Sequence, residues 1–211
     1  MSITLNIVAH ELGKIGKISC IDSFTRPLED VRIYHGLDSL CHADFLYICD
    51  DPGLIPEEPL RKIAIAYLCR PGEKAPLGAS LAIETTLGKL ALFDIIQGIF
   101  LEFRRWERLL DQSCLKNKGI QTLLDLSEPF LTNNTVVVDP ALKLLAHTRG
   151  ISCDDPITME LIEHGYHTEE NIRKFKLNKR FTPWAKQNGF IINETREICK
   201  YVTIVHSFKT R

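Results

Sequence analysis

The chain has 211 residues, with 26 basic against 27 acidic side chains and a formal net charge of −1. That balance lacks the basic excess of a nucleic-acid-binding domain, and the length allows one or two domains. The seven cysteines stand singly, without a C-x-x-C pair, which argues against a disulfide framework or structural zinc. No apolar run approaches the roughly 18–20 residues that span a membrane, and the N-terminus lacks the apolar core of a signal peptide. The sequence therefore predicts a cytoplasmic protein with no membrane partner.

Residues 1–85 carry the pattern of a small N-terminal α/β domain. Short apolar or alternating runs, rich in β-branched and aromatic residues and separated by turn residues, predict strands. These runs are ITLNIV, VRIYH, FLYICD, KIAIAYLC and SLAIET. FLYICD is apolar on both faces up to its final aspartate, so we expect it to be a central strand.

Residues 86–117 change to a helical period without proline. A 4-3-4-3-4 spacing from Leu92 to Leu110 predicts one apolar seam on a connecting helix on the order of 45 Å long. We expect this seam to join two copies of the chain in a homodimer, or else to pack its first half on the N-terminal domain and its second half on the C-terminal one. The residues predicted for dimerisation are Ile96, Ile99, Phe103, Trp106 and Leu110.

Residues 118–211 predict a smaller mixed domain. A helix in IQTLLDLSEPF precedes an antiparallel hairpin turning at Asp139-Pro140, since Asp and Pro suit the first two positions of a tight turn. Helix starts are available at Thr158 and Thr168, and FIINE and KYVTIVHSF predict two final strands. This order is typical of a small α/β sensor module that stops short of its last strands.

The stretch IQTLLDLSEPFLTNNTVVVDPALKLLAHT, residues 120–148, resembles the start of the sensor domain in PucR/CdaR-type bacterial transcriptional regulators. Residues 40–60, LCHADFLYICDDPGLIPEEPL, are similar to the N-terminal domain of such regulators. The resemblance implies a PAS/GAF-like sensor domain, dimerisation, metabolite-responsive transcription and a C-terminal helix-turn-helix. No helix-turn-helix segment is visible here, so we expect the sensory region alone, reaching DNA only through an output domain absent from this chain.

Four residues are candidates for contact with a small-molecule metabolite: His147, Phe175, Phe181 and Trp184. His147 ends the second hairpin strand, where a PAS-like pocket would open, but it also suits an edge histidine hydrogen-bonded to backbone. The aromatic residues would line a pocket or simply form core. Phosphate-loop, metal-ligand and nucleophile motifs are missing, so no metal, cofactor or catalytic residue is assigned.

The sequence thus predicts an α/β (α+β) protein that is the sensory and dimerisation region of a transcriptional regulator. The main alternative is a non-catalytic scaffold that binds partners. A second alternative is a small enzyme acting through Asp50, His147 or Cys153.

Overall fold

The computed structural model describes residues 3–20, 26–36, 41–55, 63–179, 189–194, 196 and 198–207. The chain contains both helices and strands, with parallel and antiparallel strand pairs, which confirms the α/β prediction. The chain divides into two compact units, Met1–Arg108 and Leu109–Arg211. The boundary between the units falls inside the long helix. The sequence analysis instead predicts three segments, with this helix as a separate connecting segment.

The first unit is built on a five-stranded sheet. Its strands are β1 (Lys17–Cys20), β2 (Asp30–Ile33), β3 (Phe45–Cys49), β4 (Ala64–Cys69) and β5 (Leu81–Glu84), in the order β1-β5-β4-β3-β2. Strands β2 to β5 run parallel, and β1 pairs antiparallel with β5. The run FLYICD forms β3, which is an interior strand, while β4 holds the centre. Both are apolar on both faces because both faces are covered.

Two apolar layers cover this sheet. One face carries Tyr47, Cys49 and Tyr67, which join a buried cluster with side chains from the connecting loops. The opposite face carries fully buried aliphatic residues such as Leu46 and Ile83, because neighbours along a strand point to opposite faces. The buried side chains of two helices, α1 (Leu5–Leu12) and the first half of α2 (Lys89–Leu115), supply the helical layer of the unit.

Helix α1 corrects one prediction. The run ITLNIV, predicted as a strand, becomes the start of a helix whose buried residues are Leu5, Val8 and Leu12. Their spacing follows the helical period over a longer window than the six residues used for the strand prediction. Strand β1, which follows it, was not predicted.

Helix α2 confirms the predicted long helix, and the chain itself buries the first part of the predicted seam. Ile96, Ile99 and Phe103 are between 0% and 9% exposed in the single chain, so the chain itself covers them and they offer no surface to a second copy. Trp106 and Leu110 remain half-buried. The first half of the helix therefore packs on its own unit, as the alternative prediction stated.

Two polar contacts hold the first half of α2 to the sheet unit. Lys89 Nζ donates to Asp50 Oδ1 at 2.6 Å, and the Arg104 guanidinium donates to the carbonyl of Glu29. Asp50 lies just after β3 and Glu29 just before β2. The two contacts therefore fix the helix to the sheet unit at Lys89 and again at Arg104.

The second unit combines short helices with two hairpins. Its helices are α3 (Ile120–Ser127), α4 (Pro156–His164) and α5 (Glu169–Leu177). One hairpin pairs β6 (Val136–Val138) with β7 (Leu144–His147), and the other pairs β8 (Gly189–Asn193) with β9 (Thr203–Ser207). Short 3-10 turns occupy Pro52–Leu54 in the first unit and Glu128–Phe130 in the second.

The predicted hairpin at Asp139-Pro140 and the two final strands are confirmed. Within the described residues the two hairpins form separate sheets, and a PAS/GAF-like arrangement stays a prediction.

One of the two predicted helix starts is confirmed. The Thr168 side chain caps α5 by accepting the backbone N–H of Asn171. The start predicted at Thr158 is wrong, because Asp155 caps α4 and accepts both the N–H and the hydroxyl of Thr158. Pro156 then stands at the first helical position, which it prefers. The predicted start lay three residues too late.

Candidate functional site

His147 ends β7 and is held through its backbone. The Gln121 side chain of α3 donates Nε2–H to the His147 carbonyl at 2.8 Å and accepts the His147 N–H at 3.1 Å. The ring Nδ1 lies 3.0 Å from the carbonyl oxygen of Thr148, which can only accept, so Nδ1 carries the proton. These contacts match the alternative prediction of an edge histidine bonded to backbone, and a ligand role for His147 stays a prediction.

Phe175 is a core residue of the second unit. It is 5% exposed, and its ring packs edge-on against His167 with the ring centroids 5.0 Å apart. Burial lowers the pKa of the His167 imidazole, because a desolvated ring favours the neutral form. His147 contacts Gln121 and Thr148, whereas Phe175 contacts His167, so these contacts do not bring the two predicted ligand residues together. Phe181 and Trp184 lie outside the described residues.

The carboxyl ends of the parallel strands gather polar groups in the first unit. Ligands of open parallel sheets bind at this edge. Here Asp50 follows β3 and pairs with Lys89 at the start of α2. The hydrogen bond to Asp50 raises the pKa of the Lys89 ammonium. The ion pair joins the sheet edge to the helix that continues into the second unit.

A buried tyrosine forms the second polar contact at this edge. Tyr67 of β4 is 0% exposed and donates its hydroxyl to Glu73 Oε1 at 2.6 Å. Glu73 Oε2 also accepts the backbone N–H of Arg70 at 2.9 Å. Both bonds favour the charged carboxylate, so the pKa of Glu73 is lowered, while burial followed by the bond to Glu73 raises the pKa of Tyr67. Sequence reasoning missed this pair, although the turn RPGEK directly after a strand places Glu73 to fold back on it.

Two thiols line the same face of the sheet. Burial raises the pKa of both Cys49 and Cys69, and the Cys49 Sγ donates to the carbonyl of Asp51 at 3.2 Å. A thiol kept protonated is a weak nucleophile, so both cysteines act as core residues. The residues of the alternative enzyme reading are divided between the units, with Asp50 in the first and His147 and Cys153 in the second.

Carboxylates of the second unit bind backbone N–H groups. Glu128 accepts the N–H of Arg149 at 2.8 Å and that of Gly150 at 2.6 Å, which fixes the chain after β7. Asp155, besides capping α4, accepts the N–H of Lys200 at 2.7 Å. These carboxylates order the loops around the hairpins, so their contacts are structural.

Over the described residues, no group of three or more His, Cys, Asp or Glu is placed to hold a metal ion, and none of the helices has the length and apolar character to cross a membrane. No protein-family model, curated protein or solved structure matches the chain. The resemblance of residues 120–148 to PucR/CdaR-type regulators therefore stays a prediction.

Proposed function

We propose that this chain is the sensory and dimerisation region of a cytoplasmic bacterial transcriptional regulator. The observation that supports it best is the position of the unit boundary, between Arg108 and Leu109, inside the uninterrupted helix α2. Helix formation is cooperative, so a change that favours one state of either unit can shift the population of states in the other. The helix shared by the two units is the element through which a signal received by one unit would reach the other.

The proposed dimer surface is the second half of the seam. Since Ile96, Ile99 and Phe103 are covered by the chain itself, a second copy would contact the half-buried Trp106 and Leu110. The ligand is a small metabolite, and the candidate contacts remain the four residues named from the sequence.

Light scattering tests the dimer. We expect a solution mass near twice 24.0 kDa for the parent chain and a monomer for Leu110→Asp, because an unpaired charge buried in the seam costs several kcal/mol. Leu101→Asp is the matched control, since Leu101 lies on the same helix, off the seam and 61% exposed. It should stay dimeric, and far-UV circular dichroism should show that both variants are folded. A parent chain that is monomeric at every concentration contradicts the dimer.

A scaffold is the second candidate, and one surface favours it. Phe190, Ile192 and Ile204 lie on one face of the β8–β9 hairpin and are 71%, 61% and 66% exposed. Exposed apolar patches often mark protein-binding sites. A thermal unfolding screen against a metabolite panel separates the two functions. Stabilisation by one chemical class supports the sensor, while a flat response supports the scaffold.

A further inference from the structure

A groove of about 120 Å³ lies where α2 ends and α3 begins, entirely within the second unit. Its polar lining residues are Gln112, Ser113, Lys116, Lys118 and Thr122, with two leucines completing the wall. The turn between the helices is tight, since Lys118 N–H donates to the Ser113 carbonyl at 3.1 Å. The groove is smaller than the usual 300–1,000 Å³ of a ligand pocket, so it suits a single charged group of a ligand.

The charge of the lining is positive. Lys116 and Lys118 contribute two ammonium groups, and the lining contains no carboxylate. Neither lysine forms an ion pair with any residue that the structure describes, whereas Lys89 and Lys200 do. The nearby Asp125 carboxylate binds elsewhere, accepting from Gln121 Nε2 at 2.7 Å. Both ammonium groups are thus available to an anion.

Ser113 gives an independent indication of a ligand. It is only 5% exposed, and its hydroxyl makes no hydrogen bond within the described part of the chain. By contrast, the hydroxyls of Thr122 and Ser127 donate to the carbonyls four residues earlier, at 2.9 and 2.8 Å. Because Ser113 lines the groove, its hydroxyl meets whatever occupies the groove. A hydroxyl that lines a cationic groove without a partner is suited to donate to a ligand oxygen.

The first turn of α3 adds backbone donors. Its N-cap is Gly119, at φ 81°, which has no side chain to cap the helix. The first N–H groups of a helix lack acceptors within it, and the helix dipole favours negative charge at this end. The uncapped terminus therefore favours an anion, as the two lysines do.

We propose that this groove binds a phosphate group, held by Lys116, Lys118, the Ser113 hydroxyl and the first N–H groups of α3. The ligand would be a small phosphorylated metabolite whose remaining atoms extend into solvent. Because the groove is lined by the last turns of α2, its occupancy would act on the shared helix. That signalling role rests on the proposed function, whereas the binding itself does not.

Titration of the full chain with inorganic phosphate at constant ionic strength, followed by ¹⁵N–¹H NMR, tests the site. We expect saturable shifts of the amides of residues 112–122. Lys116→Gln with Lys118→Gln should weaken binding by about tenfold or more, because hydrogen bonds to charged groups are the strong ones. Ser113→Ala should weaken it by a smaller factor. The control, Lys74→Gln with Lys176→Gln, changes the charge equally at exposed positions outside the groove and should bind as the parent does.

Three results would overturn the site: linear shifts without saturation, unchanged affinity in the Lys116 and Lys118 variant, or acetate binding as tightly as phosphate. Phosphate binding that leaves the solution mass and the metabolite response unchanged would remove the signalling role alone. Failure of the groove and failure of the proposed function are thereby distinguished.

Discussion

The hydroxyl of Tyr67 and the carboxylate of Glu73 make a hydrogen bond whose strength depends on pH. The pKa of Glu73 is lowered first by Tyr67 and then by the N–H of Arg70. A carboxyl group whose pKa is lower in the folded state stabilises the fold above its unfolded pKa, near 4.3. That contribution is lost as the pH falls through the folded pKa.

Tyr67→Phe should therefore cost stability in a pH-dependent way. We expect the free energy of unfolding to fall by about 1 kcal/mol at neutral pH, and by less at an acidic pH below the folded pKa of Glu73, where the carboxyl is protonated. Urea unfolding at the two pH values measures both differences.

Tyr47→Phe is the matched control for this substitution. Tyr47 lies on the same sheet face and is 4% exposed, but its hydroxyl accepts the backbone N–H of His42 at 2.8 Å. That donor does not titrate, so the cost of Tyr47→Phe should be equal at both pH values. An equal cost for Tyr67→Phe would mean that Glu73 is not the partner in solution.

Among the elements, α2 carries an internal glycine that the packing does not require. A Cβ at Gly98 would meet no atom within 4 Å, and alanine is better than glycine in a helix by about 1 kcal/mol. We expect Gly98→Ala to raise the free energy of unfolding by about that amount in urea titrations.

Gly16→Ala provides the opposite case. Its Cβ would lie 2.8 Å from the backbone oxygen of Glu84, so the strand pairing must shift and stability should fall. If Gly98→Ala also lowers stability, and does so only at high protein concentration, a second copy packs against this face of α2.

The predictability of each element depended on the length of its signal. Helix α2 and the hairpin at Asp139-Pro140 were predictable, because one repeats its apolar period over many turns and the other combines a turn signal with two apolar runs. The strand predicted over ITLNIV was wrong because six residues are too few to distinguish the period of a strand from that of a helix. The sequence could not show that Ile96 and Phe103 are covered by the chain's own unit, since a seam looks the same whichever surface covers it.

The candidate sites were less predictable than the fold. Tyr67 and Glu73 are joined by a turn that returns the chain onto the sheet, and the groove depends on where two helices meet. Both the Tyr67–Glu73 bond and the groove depend on how distant parts of the chain are placed in the fold. Residue types and their spacing in the sequence do not specify that placement. His147 was found because it ends a strand, but its backbone bonds to Gln121 needed a neighbouring helix that sequence spacing cannot position.

For the molecule as a whole, the continuity of α2 across the unit boundary predicts a single cooperative unfolding transition. Arg108 is exposed and is the last residue of the first unit. Proline there removes one helical hydrogen bond and clashes with the preceding turn, costing about 3 kcal/mol. We expect differential scanning calorimetry to show one transition for the parent chain and for Arg108→Ala, and two for Arg108→Pro. Because the alanine variant removes the same charge, a split seen only with proline would assign the coupling to the helix. Two transitions in the parent chain would mean that the units unfold independently, and the proposed route for a signal through α2 would then be lost.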